Sequence, residues 1–328
     1  MRILGKPSGA PHAWRAGSLA LLAALVILAV LVILAACAAP ATGSRATPSP
    51  TRTRPTATPS PSPTPTLGPA RYTPRTLAHG AGSPDDLTLD NFGSLLFTDQ
   101  ADGSIRRIEA GGTVTVLFQG LNEPDGIVWA QGTPVFSVQG KNGQGVDEIE
   151  YLLRQAGEPF VLTTFTNHTG MPGLDGIGAD PITGDLIVPD SPNGKVYRIT
   201  WNPGSGAQST TLVASGFVRP TDAITDRAGN IYVADEYGNR VARIAPNGSV
   251  TTLARLGLPD DLAFDVDGTL LVTELQGSQL VRLDPTTGQV LATLATNLHE
   301  PQGLAVDSAG DIYVSEELAN TILELKRG

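Results

Sequence analysis

The stretch Leu258–Glu274, LPDDLAFDVDGTLLVTE, decides the fold, because the chain repeats its plan six times. A proline is followed by an acid and then by a short apolar run, Leu262-Ala263-Phe264. The turn Asp265-Val266-Asp267-Gly268 leads into a second apolar run, Leu270-Leu271-Val272. The copies of Pro259-Asp260-Asp261-Leu262 are Pro84-Asp85-Asp86-Leu87, Pro124-Asp125-Gly126-Ile127, Leu174-Asp175-Gly176-Ile177, Pro220-Thr221-Asp222-Ala223 and Pro301-Gln302-Gly303-Leu304. They are spaced by 40, 50, 46, 39 and 42 residues, the size of a supersecondary repeat.

Within the fifth unit a third run, Gln279–Leu283, a turn, Asp284–Gly288, and a fourth run, Gln289–Leu294, complete the plan. Apolar and β-branched runs bounded by Asp, Asn, Gly and Pro read as strands and turns. No window of comparable length in the repeats shows a sustained 3.6-residue period. Four strands per unit of about 40–45 residues is the pattern of a propeller blade. The sixth unit has only three strands, ending at Thr321–Lys326, while Arg75-Thr76-Leu77-Ala78 precedes the first repeat as Thr251-Thr252-Leu253-Ala254 precedes the fifth. The N-terminal strand is therefore expected to complete the last blade and protect the sheet edges. The expectation is an all-β, six-bladed propeller over 72–328, acting as a monomer.

The first 71 residues read differently. Arg2, Lys6 and Arg15 precede an apolar run from Leu19 to Cys37, the order of an export signal. The run is also long enough to span a bilayer as an uncleaved anchor. Either way the remainder is expected outside the cytoplasm. Residues 38–71 form a stalk rich in Pro, Thr and Ser, with Leu67 its one large apolar side chain. Such a segment cannot bury enough surface to fold. Residues 1–76 carry eight Lys/Arg and no acid, which leaves 14 Lys/Arg against 32 Asp/Glu and a formal net charge of −18 for residues 77–328. That field argues against nucleic acid as a partner and suits divalent cations or cationic ligands. Cys37 is the only cysteine, so no disulfide can form within the chain.

Three stretches carry resemblances. Leu34-Ala35-Ala36-Cys37 resembles the lipobox of bacterial lipoproteins, which implies lipidation of Cys37 and a domain tethered to the outer face of a membrane. Ile231 to Val241, IYVADEYGNRV, resembles an NHL repeat. The fifth unit, with Arg282-Leu283-Asp284-Pro285-Thr286-Thr287-Gly288, resembles the senescence-marker-protein/gluconolactonase family. Both families are six-bladed propellers, and the similarity covers residues 75–328.

In a propeller the innermost strand of each blade starts at the mouth of the central channel. Asp85, Asp125, Asp175, Thr221, Asp260 and Gln302 are therefore expected to ring that mouth. Loops between second and third strands would add Asp99, Asp190, Asp235, Glu236, Glu274, Glu316 and Glu317. An Asp in such a connection often only caps nearby backbone amides. Several acids at one mouth repel one another unless a cation sits among them, and hard oxygen donors suit Ca²⁺, Mg²⁺ or Mn²⁺. The gluconolactonase resemblance implies a metal on the positions of Asp85, Thr221 and Asp260, with Asp175 as general base in lactone hydrolysis. Asp85 replaces a longer Glu, while Thr221 and Leu174 replace asparagines of that family's pattern. A streptogramin-lyase-like propeller would use a His base, for which His299, beside Glu300, is the candidate; His79 and His168 are weaker ones. Gly140–Gly145 reads as a flexible insert. Hydrolase and non-catalytic binding of a small extracellular ligand both stay open.

Overall fold

The computed structural model describes residues 71–109, 111–139, 147–153, 161–164, 173–205 and 208–328. Cys37, the stalk 38–71 up to residue 70, the insert Gly140–Gly145 and His168 lie outside the described residues. Twenty-four strands make six four-stranded antiparallel sheets, with no helix among the described residues. Each sheet is one repeat. Blade 1 runs from Pro84 to Gln119, blade 2 from Pro124 to Thr164 and blade 3 from Gly178 to Ser215. Blade 4 covers Pro220–Ala254, blade 5 Pro259–Thr296, and blade 6 begins at Pro301. The innermost strands touch in sequence around the ring, and that of blade 6 returns to that of blade 1.

Closure occurs where the repeat count places it. Tyr72–His79 pairs antiparallel with Thr321–Arg327 and supplies the outer strand of blade 6. Arg282 locks this strand by donating to the Tyr72 hydroxyl at 2.7 Å and to buried Asp265. Because strands alternate in direction, the strand beginning at Tyr72 starts on the face opposite the mouth and runs toward it.

The core is divided into six wedges, one at each blade boundary. Leu96, Ile105, Ile127 and Phe136 pack between blades 1 and 2, and Leu271, Leu280, Ile312 and Val314 between blades 5 and 6. Second strands such as Leu95–Asp99 and Leu270–Glu274 are buried throughout. Their near-continuous apolar runs face a neighbouring blade on each side. Full burial of one such side chain contributes roughly 1.5–3 kcal/mol. Where the innermost strands crowd together, side chains shrink: a Cβ on Gly178 would run into the Ala223 carbonyl oxygen.

Candidate functional site

A chain of hydroxyl groups sets the geometry of the mouth. Thr98 accepts the Asp86 N–H at 3.1 Å and donates to the Asp125 carbonyl at 2.6 Å. Ser137 accepts from Gly126 at 3.0 Å and donates to the Asp175 carbonyl at 2.9 Å. Thr273 does the same between Asp261 and Gln302, both at 2.9 Å. Ser315 links Gly303, at 2.7 Å, to the Asp85 carbonyl. The matching residue of blade 4 is Ala234, which has no hydroxyl. There Thr221 takes over and donates to the Asp260 carbonyl at 2.7 Å. Each hydroxyl thus crosses a blade boundary and pins the main chain of the residue after the next repeat's proline, or its counterpart Leu174. The bulge at this point, as between Pro84 and Leu87, turns that residue toward the axis.

The resulting cavity, of about 640 Å³, brings together five expected ring members: Asp85, Asp125, Asp175, Asp260 and Gln302. Thr221 is buried beneath it, with its hydroxyl engaged as above. Of the loop acids, Glu236 and Glu317 line the cavity. Asp99, Asp190, Asp235, Glu274 and Glu316 do not, which corrects the expectation for Asp235 and Glu274 as ligand-contacting groups. They end their strands and point the other way. Asp235 Oδ1 accepts the N–H groups of Val218 and Arg219 at 2.8 and 3.0 Å, and Glu274 accepts that of Gly257 at 2.6 Å. They clamp the loop before the proline. Successive side chains of an extended chain alternate in direction, so the residue one further on faces the axis. These are Gln100, Gln139, Ser191, Glu236, Leu275 and Glu317, all of which line the cavity. Glu236 and Glu317 were among the expected loop acids, whereas Gln100, Gln139, Ser191 and Leu275 were missed because only acids were counted and without that alternation. His299 stands outside: its ring is two-thirds exposed, 3.3 Å from Glu316, and does not line the cavity.

Among the described residues, eight carboxyl groups and one guanidinium line the mouth. Gln100 Nε2 donates to both Asp85 and Asp125, and Gln139 donates to Asp125 at 3.1 Å. Arg219 bridges Asp175, at 2.6 Å, and Glu236, and lies 5.3 Å from the centre of the exposed Tyr237 ring. Glu300 is held at φ 57°, and Glu123 and Leu258, also just before prolines, at 44° and 54°. A non-glycine residue in that region stores strain of order 1–3 kcal/mol.

Burial raises the pKa values of four of these carboxyls, Asp85, Asp125, Asp175 and Asp260. Asp85 is pushed well up by burial and by repulsion from Asp125, Asp175 and Asp260. Burial and Asp175 bring Asp125 to about 8. Asp260 is raised by burial and by Asp175. Asp175 is raised by burial, with Arg219 offsetting part of the effect. The mouth therefore holds protons at a pH where a free aspartate holds none, and it can exchange them for a cation.

The oxygen donors suit a hard divalent ion, but their arrangement does not. Among the described residues no three His, Cys, Asp or Glu side chains are close enough to hold one ion. The Gln100 amide occupies Asp85, and the Thr221 hydroxyl points to a carbonyl. The set Asp85, Thr221 and Asp260 does not fit a metal as it stands.

No protein-family model matches the chain, and no curated protein matches it. Solved structures do. A gluconolactonase from Xanthomonas campestris is 18% identical with a TM-score of 0.64, over 80% of this chain and 96% of that one. A virginiamycin B lyase from Staphylococcus aureus is 16% identical, TM-score 0.56, over 79% and 88%. An auxiliary nutrient binding protein from Bacteroides ovatus is 11% identical, TM-score 0.63, over 79% and 77%. The likeness covers the propeller and shows its fold.

Proposed function

We propose that the protein is a binding propeller whose mouth captures a small ligand bearing more than one positive charge. The observation that carries this reading is the lining: among the described residues, eight carboxyl groups against the one guanidinium of Arg219, in a cavity of about 640 Å³. Such a cavity concentrates cations from solution. Tyr237 is exposed at the rim, and its ring, which carries the Arg219 guanidinium on one side, can take a cation on the other. The amides of Gln100 and Gln139 orient Asp85 and Asp125 rather than neutralise them. The likeness to a nutrient-binding propeller is compatible with this role.

Melting the full-length chain with and without spermidine tests it. A trication at about 100 times its Kd adds roughly 2.7 kcal/mol of stability. The rise should shrink with salt and in Asp125→Asn. No rise, or one unchanged in that variant, refutes the reading.

A second reading, metal-dependent hydrolysis of a lactone or sugar-derived ester, is favoured by one observation. Asp260 is pushed up by burial and by Asp175, an effect that a dication would relieve. Ca²⁺, Mg²⁺ and Mn²⁺ in the same melting assay decide it. A selective rise lost in Asp260→Ala supports this reading; no rise with any ion removes it. We also place the domain outside the cytoplasm on a lipid attached to Cys37. Release of a Cys37→Ser variant from the membrane fraction would support that anchor, and full retention would refute it.

A further inference from the structure

The lining of the mouth is divided into two unlike halves. Among the described residues, its apolar side chains are Leu174, Pro192, Val218, Leu275 and the ring of Tyr237. All five come from blades 3, 4 and 5 or from the connections leading into them. Everything that blades 6, 1 and 2 and their connections contribute is Asp, Glu or Gln. Each set of three blades is consecutive around the ring, so an apolar wall faces a polar one.

The charge is divided in the same way. Five of the eight carboxyl groups, those of Asp85, Asp125, Asp147, Glu300 and Glu317, belong to the polar half, to which no Lys or Arg contributes among the described residues. Arg219 belongs to the apolar half and already pairs with Asp175 and Glu236, which leaves Asp260 as that half's remaining carboxyl.

Main-chain bonds between loops hold the apolar wall together. The Ser191 N–H donates to the Gly173 carbonyl at 3.1 Å, which sets Leu174 and Pro192 on adjoining loops. The Glu236 N–H donates to the Arg219 carbonyl at 2.9 Å and does the same for Val218 and Tyr237. Val218 is 61% exposed and Tyr237 59%. Single exposed apolar side chains are ordinary on a protein surface. Several along one wall of a concave site mark where a ligand lays an apolar surface.

We infer that the ligand of the mouth is an organic dication built on a ring, its ring against the wall of blades 3–5 and its ammonium groups toward the acids. This rests on the reading of the mouth as a cation site and narrows its chemistry. A flexible polyamine would use the free side of the Tyr237 ring for an ammonium and leave Val218 and Leu275 to water. A ring-bearing dication covers all three and displaces that water. Its ring can stack on Tyr237, and a rigid body loses little freedom on binding. Val218, Tyr237 and Leu275 are then the specificity-determining residues, while the carboxyl groups supply the attraction common to any cation.

The test is calorimetric titration of the full-length chain in lipid nanodiscs, with empty nanodiscs as blank. The probes are p-xylylenediamine, bis(2-aminoethyl) ether and spermidine. The first two carry the same charge and differ in their bodies. The xylylene compound should bind about tenfold tighter than the ether, the gain expected from burying part of an aromatic ring. Val218→Ser and Leu275→Ser should each reduce this preference several-fold, whereas Asp125→Asn should weaken both dications and preserve the preference. Melting curves check that each variant folds. If Leu275→Ser does not fold, Val218→Ser and the comparison of ligands still decide. Equal affinity of the two dications, binding of spermidine alone, or a preference that survives the apolar-wall variants overturns this inference and leaves the cation reading standing. If none of the three probes binds, the cation reading falls and this inference falls with it.

Discussion

The buried acids make an unusual prediction about pH. Asp222 is 4% exposed, and burial brings its carboxyl to about 6, against about 3.9 for an unperturbed Asp. A group whose folded pKa is raised binds its proton more tightly in the native state. Its stabilising contribution is complete below the unfolded value and is lost as pH rises through the folded value. Two pKa units at 1.36 kcal/mol each make about 3 kcal/mol for Asp222, lost between about pH 4 and 6. Asp125, at about 8, extends the loss upward. Asp180 and Asp267 have lowered values, so their contribution disappears as pH falls below the ordinary carboxylate range. Stability should therefore peak near pH 4–5 and fall toward pH 8. For a domain of this size the Asp222 share alone corresponds to roughly 6–12 °C. Calorimetric melting of the full chain across pH 4–9, without added cations, measures it. Asp222→Asn keeps a carbonyl to accept the Leu262 N–H and should flatten the slope between pH 4 and 6. A melting temperature that stays level or rises from pH 5 to 8 would refute the reasoning.

Three further outcomes test the architecture. Thr273→Val leaves the Asp261 N–H and the Gln302 carbonyl without their hydroxyl partner; it should cost about 1–3 kcal/mol by denaturant titration, and Thr273→Ser should cost much less. Gly178→Ala forces a Cβ against the Ala223 carbonyl, an overpacking worth roughly 1–3 kcal/mol, read as a lower melting temperature. Arg282→Ala removes the main partner of buried Asp265 and unfastens Tyr72. Breaking a buried pair costs about 3–5 kcal/mol; Arg327, 3.4 Å from Asp265, should hold the loss to the lower end, and the pair Asp265→Asn with Arg282→Met should recover part of it.

The repeat by itself determined the fold. Each unit carries its own strand runs and turn residues, so four strands per blade, six blades and the closing strand at Tyr72–His79 follow from local pattern and counting. It also placed Asp85, Asp125, Asp175, Asp260 and Gln302 at one mouth, because the residue after the proline or its counterpart has a constant position in the blade. What each polar side chain does there was decided only by the tertiary structure. Asp235 and Glu236 are neighbours of similar chemistry, yet one clamps a loop and the other faces the cavity, because an extended chain turns successive side chains to opposite sides. Thr221 stands where a metal ligand was expected, but Ala234 lacks the hydroxyl that blades 1, 2, 5 and 6 use to cross their boundary, and Thr221 supplies it. Hydrogen bonds of this kind join residues 27 to 39 positions apart, and 230 apart where blade 6 meets blade 1, and form only when neighbouring blades pack. The same closure gathers Asp86, Asp222 and Asp261, from blades 1, 4 and 5, around one axis, an arrangement that no single repeat contains.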